Sequence, residues 1–179
     1  MKDLKEDFDF FVNYNRENTT YRSSWHYKWL FFRYLITRSG LFVLGLRLGY
    51  GLHRMPRLRA FYFFFFNIFW RCDVSPRATI GPGLYFPHPF GIVIGGLSVI
   101  GGNCVIFNDV TFGKKYPGTN DGMPTIGKTL IIGAGARLLG AIKIEDDVVV
   151  GCNSVVTKSI PAQRTVVGVN KISLNVYSR

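Results

Sequence analysis

A six-residue rhythm governs the chain from residue 74 to residue 156. Ile126, Ile132, Leu138, Ile144, Val150 and Val156 are each six apart, as are Ile94, Ile100, Ile106 and Phe112, and before them Val74, Ile80 and Phe86. Glycine often follows the apolar residue, at Gly81, Gly95, Gly101, Gly113, Gly127, Gly133 and Gly151. A helix of 3.6 residues per turn would spread this pattern around its circumference. Short strands with a turn every six residues keep each apolar side chain pointing inward, and glycine supplies the corner. The rhythm therefore predicts a parallel β-helix built from hexapeptide repeats. Two irregularities interrupt it. Phe86 to Ile94 is eight residues, which gives the "PHPFG" segment a two-residue insertion, and Phe112 to Ile126 is fourteen, which predicts an extruded loop over 113–125. Solenoids tolerate insertions at corners and carry function there.

The first 71 residues follow a different grammar. From Asn18 to Cys72 there is no Asp or Glu, while Arg22, Lys28, Arg33, Arg38, Arg47, Arg54, Arg57, Arg59 and Arg71 are basic. The stretch "WLFFRYLITRSGLFVLGLRLGYGLHR" reads as helical, with Arg33, Arg47 and Arg54 near one stripe, although its glycines count against a single unbroken helix. "AFYFFFFNIFW" is apolar all round but too short to cross a bilayer as a helix. Two readings stand for this basic aromatic annex: a cap packed on the solenoid, or helices in a membrane interface with arginines toward anionic headgroups. Different faces can serve each. His26 and His53 read as packing or interfacial residues. The expected domains are 1–71, 72–165 and a tail, 166–179.

A net charge of +11 implies an acidic partner. The basic residues lie among phenylalanines and leucines without a recognised nucleic-acid module, so nucleic acid is not expected. Cys72, Cys104 and Cys152 are odd in number and far apart, as suits free thiols in a reducing cytosol, and no metal-ligand spacing occurs. "MKDLKEDFDF" lacks the apolar core of a secretory signal.

The segments "DVSPRATIGPGLYFPHPFGIVIGG", "IGAGARLLGAIKIEDDVVVGCNSVVTKSIP" and "VVGV" resemble the hexapeptide-repeat acyltransferases, in particular serine acetyltransferases and their relatives in polysaccharide gene clusters. The resemblance implies a left-handed β-helix, a handedness chain sterics alone would not favour. It also implies acetyl-CoA as donor, a homotrimer with the donor cleft between protomers, and a catalytic Asp–His dyad at Asp73 and His88. An acceptor hydroxyl needs a positioned base, imidazole can take and return the proton, and a carboxylate selects its tautomer. By the same carry-over Gly113 and Lys114 lie near the thioester, Ala134 and Cys152 along the pantetheine arm, and Lys158 and Lys171 near the nucleotide phosphates. Cys152 stands where the family often has alanine, and Asn170 breaks the usual "VVGxPA".

Two departures bear on the acceptor. Serine acetyltransferases carry aspartate before the histidine, where this chain has Pro87, and Arg-His-Pro in the extruded loop, where it has Gly122, Met123 and Pro124. Loss of the arginine removes a carboxylate clamp of about 1.5–3 kcal/mol. The expectation is therefore an O-acetyltransferase acting on a sugar hydroxyl of a surface polysaccharide or its precursor, in the cytoplasm and peripheral on the inner membrane. A serine O-acetyltransferase is the alternative, and a non-catalytic β-helix scaffold the second.

Overall fold

The computed structural model describes residues 2–15, 24–116, 122–169 and 171–174; the side chains of Ser24, His26 and residues 171–174 lie outside that description, as does the centre of the extruded loop. The hexad rhythm becomes a triangular coil. Its first rung consists of β1 (Asp73–Val74), β2 (Thr79–Ile80) and β3 (Leu84–Tyr85), and the second of β4 (Val93–Ile94), β5 (Val99–Ile100) and β6 (Cys104–Ile106). The third holds β7 (Thr111–Gly113), β8 (Thr125–Ile126) and β9 (Ile131–Ile132), and the fourth β10 (Arg137–Leu139), β11 (Lys143–Ile144) and β12 (Val149–Val150). The last contains β13 (Val155–Val156), an isolated bridge at Ile160 and β14 (Arg164–Val167), against which β15 (Lys171–Leu174) folds back antiparallel.

Strands one rung apart pair in parallel, so three sheets form among the described residues: β1-β4-β7-β10-β13, then β2-β5-β8-β11, then β3-β6-β9-β12-β14, with β15 added antiparallel to the last. The register is the sequence rhythm itself, with Val74 opposite Ile94, Ile94 opposite Phe112 and Phe112 opposite Leu138. Of the thirteen hexad positions all but Ile80 are buried, and Ile80 packs partly buried against the same core.

The corner glycines act differently from the sequence expectation. Gly133 does not adopt a left-handed conformation; a Cβ there would lie 2.6 Å from the Cys152 amide nitrogen on the next rung. The left-handed residue comes two positions later, at Gly135 (φ +73°) on one rung and Asn153 (φ 56°) on the next. Glycine at position 133 thus permits close stacking, whereas Gly113 has ordinary room for a Cβ, and the turn itself accepts asparagine or aspartate.

Ahead of the coil the described residues form four helices: α1 (Lys2–Tyr14), α2 (Ser24–Leu35), α3 (Arg38–Gly51) and α4 (Pro56–Trp70), with a 3₁₀ turn over Leu52–Arg54. Helix breaks at residue 36 where Thr37 becomes an N-cap, its hydroxyl accepting from the Gly40 N–H at 3.0 Å. Gly40 fits because a Cβ would collide with the Tyr34 carbonyl oxygen. The break corrects the single-stripe reading of the arginines: Arg33 stacks on Trp29, whereas Arg47 turns inward. No single helix among the described residues is long and apolar enough to span a bilayer. One bent pair, 27–35 with 38–54, has the length and composition but meets at 83°, and α3 buries Phe42, Val43 and Leu46 in the shared core.

The annex caps the first rung by supplying what a preceding rung would have supplied. Asn67 donates to the Val74 carbonyl (3.2 Å) and accepts from its N–H (3.0 Å), as a neighbouring strand would. Tyr50 donates to the Ser75 carbonyl at 3.0 Å. Arg47 donates to the Ile80 and Gly81 carbonyls at 3.1 and 2.6 Å, while fully buried Asp7 accepts from the Leu84 N–H at 2.8 Å. Asp7 and Arg47 close the set with a two-point ion pair at 2.8 and 2.9 Å. Phe42 packs on Phe86, the ring centroids 4.9 Å apart, and joins the helical and solenoid cores.

Removing one member of such a pair strands the other charge. Asp7→Ala is expected to cost about 3–5 kcal/mol, measured by urea denaturation, with Asp7→Asn less damaging because it keeps an acceptor for Leu84.

Candidate active site

His88 occupies the corner between the third and first sheets, at the turn from rung one to rung two. Phe86 and Ile92 remain fully buried on either side, so the two extra residues are absorbed in an outward turn. Pro87 and Pro89 stiffen it, and the Phe90 N–H donates to the His88 carbonyl at 2.9 Å. The turn lies against the end of α4. The Gly91 N–H donates to the Arg71 carbonyl (3.0 Å), the Cys72 thiol to the Pro89 carbonyl (3.9 Å), and the Asp73 N–H to the Ile92 carbonyl (2.8 Å). Asp73 and His88 are thus on adjoining rungs, and both side chains are exposed. Among the described residues no hydrogen bond or ion pair joins their side chains in this single chain.

Beside His88 opens a cleft of about 600 Å³ lined by Arg38, Leu41, Phe69, Trp70, Arg71, His88, Pro89 and Phe90. Its far wall is the start of α3 and the last turn of α4. Arg71 ends α4 in the left-handed conformation (φ 51°, ψ 46°), its N–H bonded to the Ile68 carbonyl at 3.3 Å. Non-glycine residues adopt this conformation at a cost, and here hydrogen bonds on both sides hold it. Sequence reasoning missed Arg38, Arg71 and Phe90 as site residues. For the two arginines the only signal is the acid-free basic stretch, and for Phe90 the "PHPFG" insertion; the arginines converge because the helix breaks at residue 36.

The remaining expected residues divide between two edges of the first sheet. Ala134 and Cys152 share the His88 edge, joined by a ladder in which Asp109 N–H reaches the Phe90 carbonyl (3.0 Å), Gly135 N–H that of Asn108 (3.0 Å) and Asn153 N–H that of Ala134 (2.8 Å). Ala134 is half-buried and Cys152 exposed. Gly113 and Lys114 lie at the opposite edge, where β7 runs into the extruded loop, and Lys158 is exposed at that edge on the last rung. Strands of two or three residues separate the edges by roughly 7–10 Å. The side chain of Lys171 lies outside the described residues.

The returning arm of the loop seats on rung two. The Met123 sulfur accepts from the Leu97 N–H at 3.4 Å and the Ser98 hydroxyl at 3.8 Å, above Gly95, where a Cβ would strike it. Of the three thiols, burial pushes that of Cys104 up to about 11 and raises that of Cys72.

No family model matches the chain. It is 37% identical over 134 residues to the serine acetyltransferase of Helicobacter pylori strain 26695, covering 70% of this chain and 75% of that one. It spans less than half of some other curated relatives it matches, such as that of Staphylococcus epidermidis, 42% identical over 97 residues. Among solved structures it is similar to Neisseria gonorrhoeae serine acetyltransferase (TM-score 0.80, 27% identity, 99% of this chain and 67% of that one). It is also similar to Brucella abortus serine acetyltransferase in complex with coenzyme A (TM-score 0.78, 26% identity, 96% and 65%).

These likenesses overturn the carbohydrate acceptor expected from the sequence and favour the alternative weighed beside it. The absence of the loop arginine does not leave the site without cationic groups, since Arg38 and Arg71 line the cleft beside His88. The coil is a left-handed β-helix with an N-terminal helical region, and the chain belongs to the serine acetyltransferase family.

Proposed function

We propose that this chain is a serine O-acetyltransferase that moves the acetyl group of acetyl-CoA to the hydroxyl of free serine. The observation that carries this reading is the 37% identity spread over three quarters of the Helicobacter enzyme. His88 is the general base and Asp73 the carboxylate that orients it and stabilises the imidazolium. As the serine oxygen attacks the thioester carbon, its proton passes to the imidazole. When the tetrahedral intermediate collapses, the carbon–sulfur bond breaks and the departing thiolate takes that proton back, leaving O-acetylserine and coenzyme A. The exposure of both side chains and the main-chain bonds that tie residues 71–73 to 89–92 support this pairing; catalytic hydrogen bonds commonly tighten only when substrate binds.

The donor lies in a cleft shared between protomers of a homotrimer. Gly113 and Lys114 face its thioester end, Ala134 and Cys152 its pantetheine arm, and Lys158 and Lys171 its phosphates. The unbroken main-chain ladder beside Ala134 and Cys152 supports the arm's path, because pantetheine amides need close approach to backbone.

The outer face of the annex supports a second element of the proposal: the enzyme works in the cytoplasm and rests peripherally on the membrane. Phe61, Phe64, Phe65, Ile68 and Phe69 of α4 are all more than half exposed, with Arg54 and Arg57 exposed at its start. Aromatic residues flanked by arginines suit an anionic lipid interface.

Three measurements test these statements. With thiol release on serine as the readout, His88→Ala is expected to lower kcat by about 10²–10⁴-fold without shifting the melting temperature, since the side chain is exposed. A fully active variant overturns the mechanism. N-ethylmaleimide is expected to modify exposed Cys152 well before buried Cys104, and saturating coenzyme A to slow modification of Cys152; absence of protection removes it from the donor path. In flotation, the chain is expected to rise with phosphatidylglycerol vesicles and not with phosphatidylcholine ones, and Phe61→Ser/Phe65→Ser to remain at the bottom.

A further inference from the structure

We infer that Arg38 and Arg71 form a carboxylate-binding subsite that fixes the acceptor beside His88, in place of the arginine missing from the extruded loop. This rests on the reading of the chain as a serine acetyltransferase.

Three other annex arginines are already occupied, and exposed Arg54 and Arg57 lie outside the lining of this cleft. Arg47 is bound to Asp7, Arg33 stacks over Trp29 at 5.6 Å, and Arg59 over Tyr50 at 5.0 Å. Arg38 and Arg71 are exposed, and among the described residues their side chains make no hydrogen bond, ion pair or ring contact. They come from different helices, one opening α3 and the other ending α4, yet both line the cleft that His88 lines. Arg71 is held there in a conformation unfavourable for a side-chain-bearing residue, pinned by its own N–H and by the Gly91 N–H on its carbonyl.

The remainder of the lining is Leu41, Phe69, Trp70, Pro89 and Phe90, apolar surface that strengthens a guanidinium–oxyanion contact relative to open water. Among the described residues no carboxylate lines the cleft; Asp73 lies two residues beyond Arg71, and the Asp109 N–H bonds the Phe90 carbonyl. Two guanidiniums offer paired N–H donors to a carboxylate, and the histidine on the adjoining wall meets a hydroxyl at the other end of a compact molecule. A 3-hydroxy acid with a free carboxylate satisfies both walls at once. The phosphates of the donor carry the same oxyanion chemistry, so donor and acceptor must be separated by experiment.

Steady-state kinetics on the full chain separates them, using serine and uncharged serinamide as acceptors for the wild type, Arg38→Gln, Arg71→Asn and the double variant. Asparagine is chosen at 71 because it tolerates the left-handed conformation. In the double variant the KM for serine is expected to rise roughly ten- to hundred-fold, with the KM for acetyl-CoA within about two-fold of wild type. The preference for serine over serinamide is expected to collapse, and Arg38→Lys to fall between, because it keeps charge but loses the planar fork. An unchanged KM for serine in a variant that melts like wild type overturns the inference. So does a rise confined to acetyl-CoA, which would assign the arginines to donor phosphate. If the wild type acetylates no serine at all, the underlying reading fails first and takes the inference with it; serine turnover indifferent to both substitutions sinks the subsite alone.

Discussion

A parallel coil has an open end, and the buried pair of Asp7 and Arg47 is what closes this one. The first rung has no rung before it, so its outward N–H and C=O groups would face an apolar helical layer unpaired, each at a cost comparable to a lost hydrogen bond. Asp7 takes the Leu84 N–H of the third sheet, and Arg47 fills the Ile80 and Gly81 carbonyls of the second. Neither side chain could be buried alone. Joined at two points and each bonded onward to main chain, they meet the condition under which a buried ion pair is tolerated: every strong donor and acceptor has a partner. Asn67 and Tyr50 do the equivalent work at the first sheet with neutral groups.

How far the fold was legible follows from which interactions are periodic. The inward ladder is periodic, so Val74 through Val156 could be read directly, and even the position of the His88 corner followed from a spacing of eight between Phe86 and Ile94. The reason for the corner glycines was not legible, because the constraint at Gly133 is the Cys152 nitrogen a full rung away. The cap was not legible either. Asp7 reaches Leu84 across 77 residues and Arg47 across 40, and in sequence Asp7 is one of several acids in an acidic helix while Arg47 is one of many arginines.

The acceptor was misread for a related reason. A motif comparison registers the loss of a side chain at one aligned position, but not the arrival of another from a different segment of the chain. Gly122, Met123 and Pro124 hold no cation, and Met123 instead seats the loop on rung two through its sulfur. The charge beside His88 comes from Arg38 and Arg71, some fifty residues or more earlier in the chain than that loop.

Capping and the walls of the cleft are carried by the same two helices. Along α3, Arg47 and Tyr50 face the first rung while Arg38 and Leu41, two turns earlier, face the cleft. Along α4, Asn67 completes β1 while Phe69, Trp70 and Arg71 line the cleft within the next turn. A helix is rigid over such distances, so the register that satisfies the end of the coil also sets how far the arginines stand from His88. The histidine is fixed from the other side, since the Gly91 N–H bonds the Arg71 carbonyl and the Asp73 N–H the Ile92 carbonyl. The cap therefore determines the geometry of the cleft: a shift of α3 along the coil would break the Arg47 contacts and move Arg38 by the same amount.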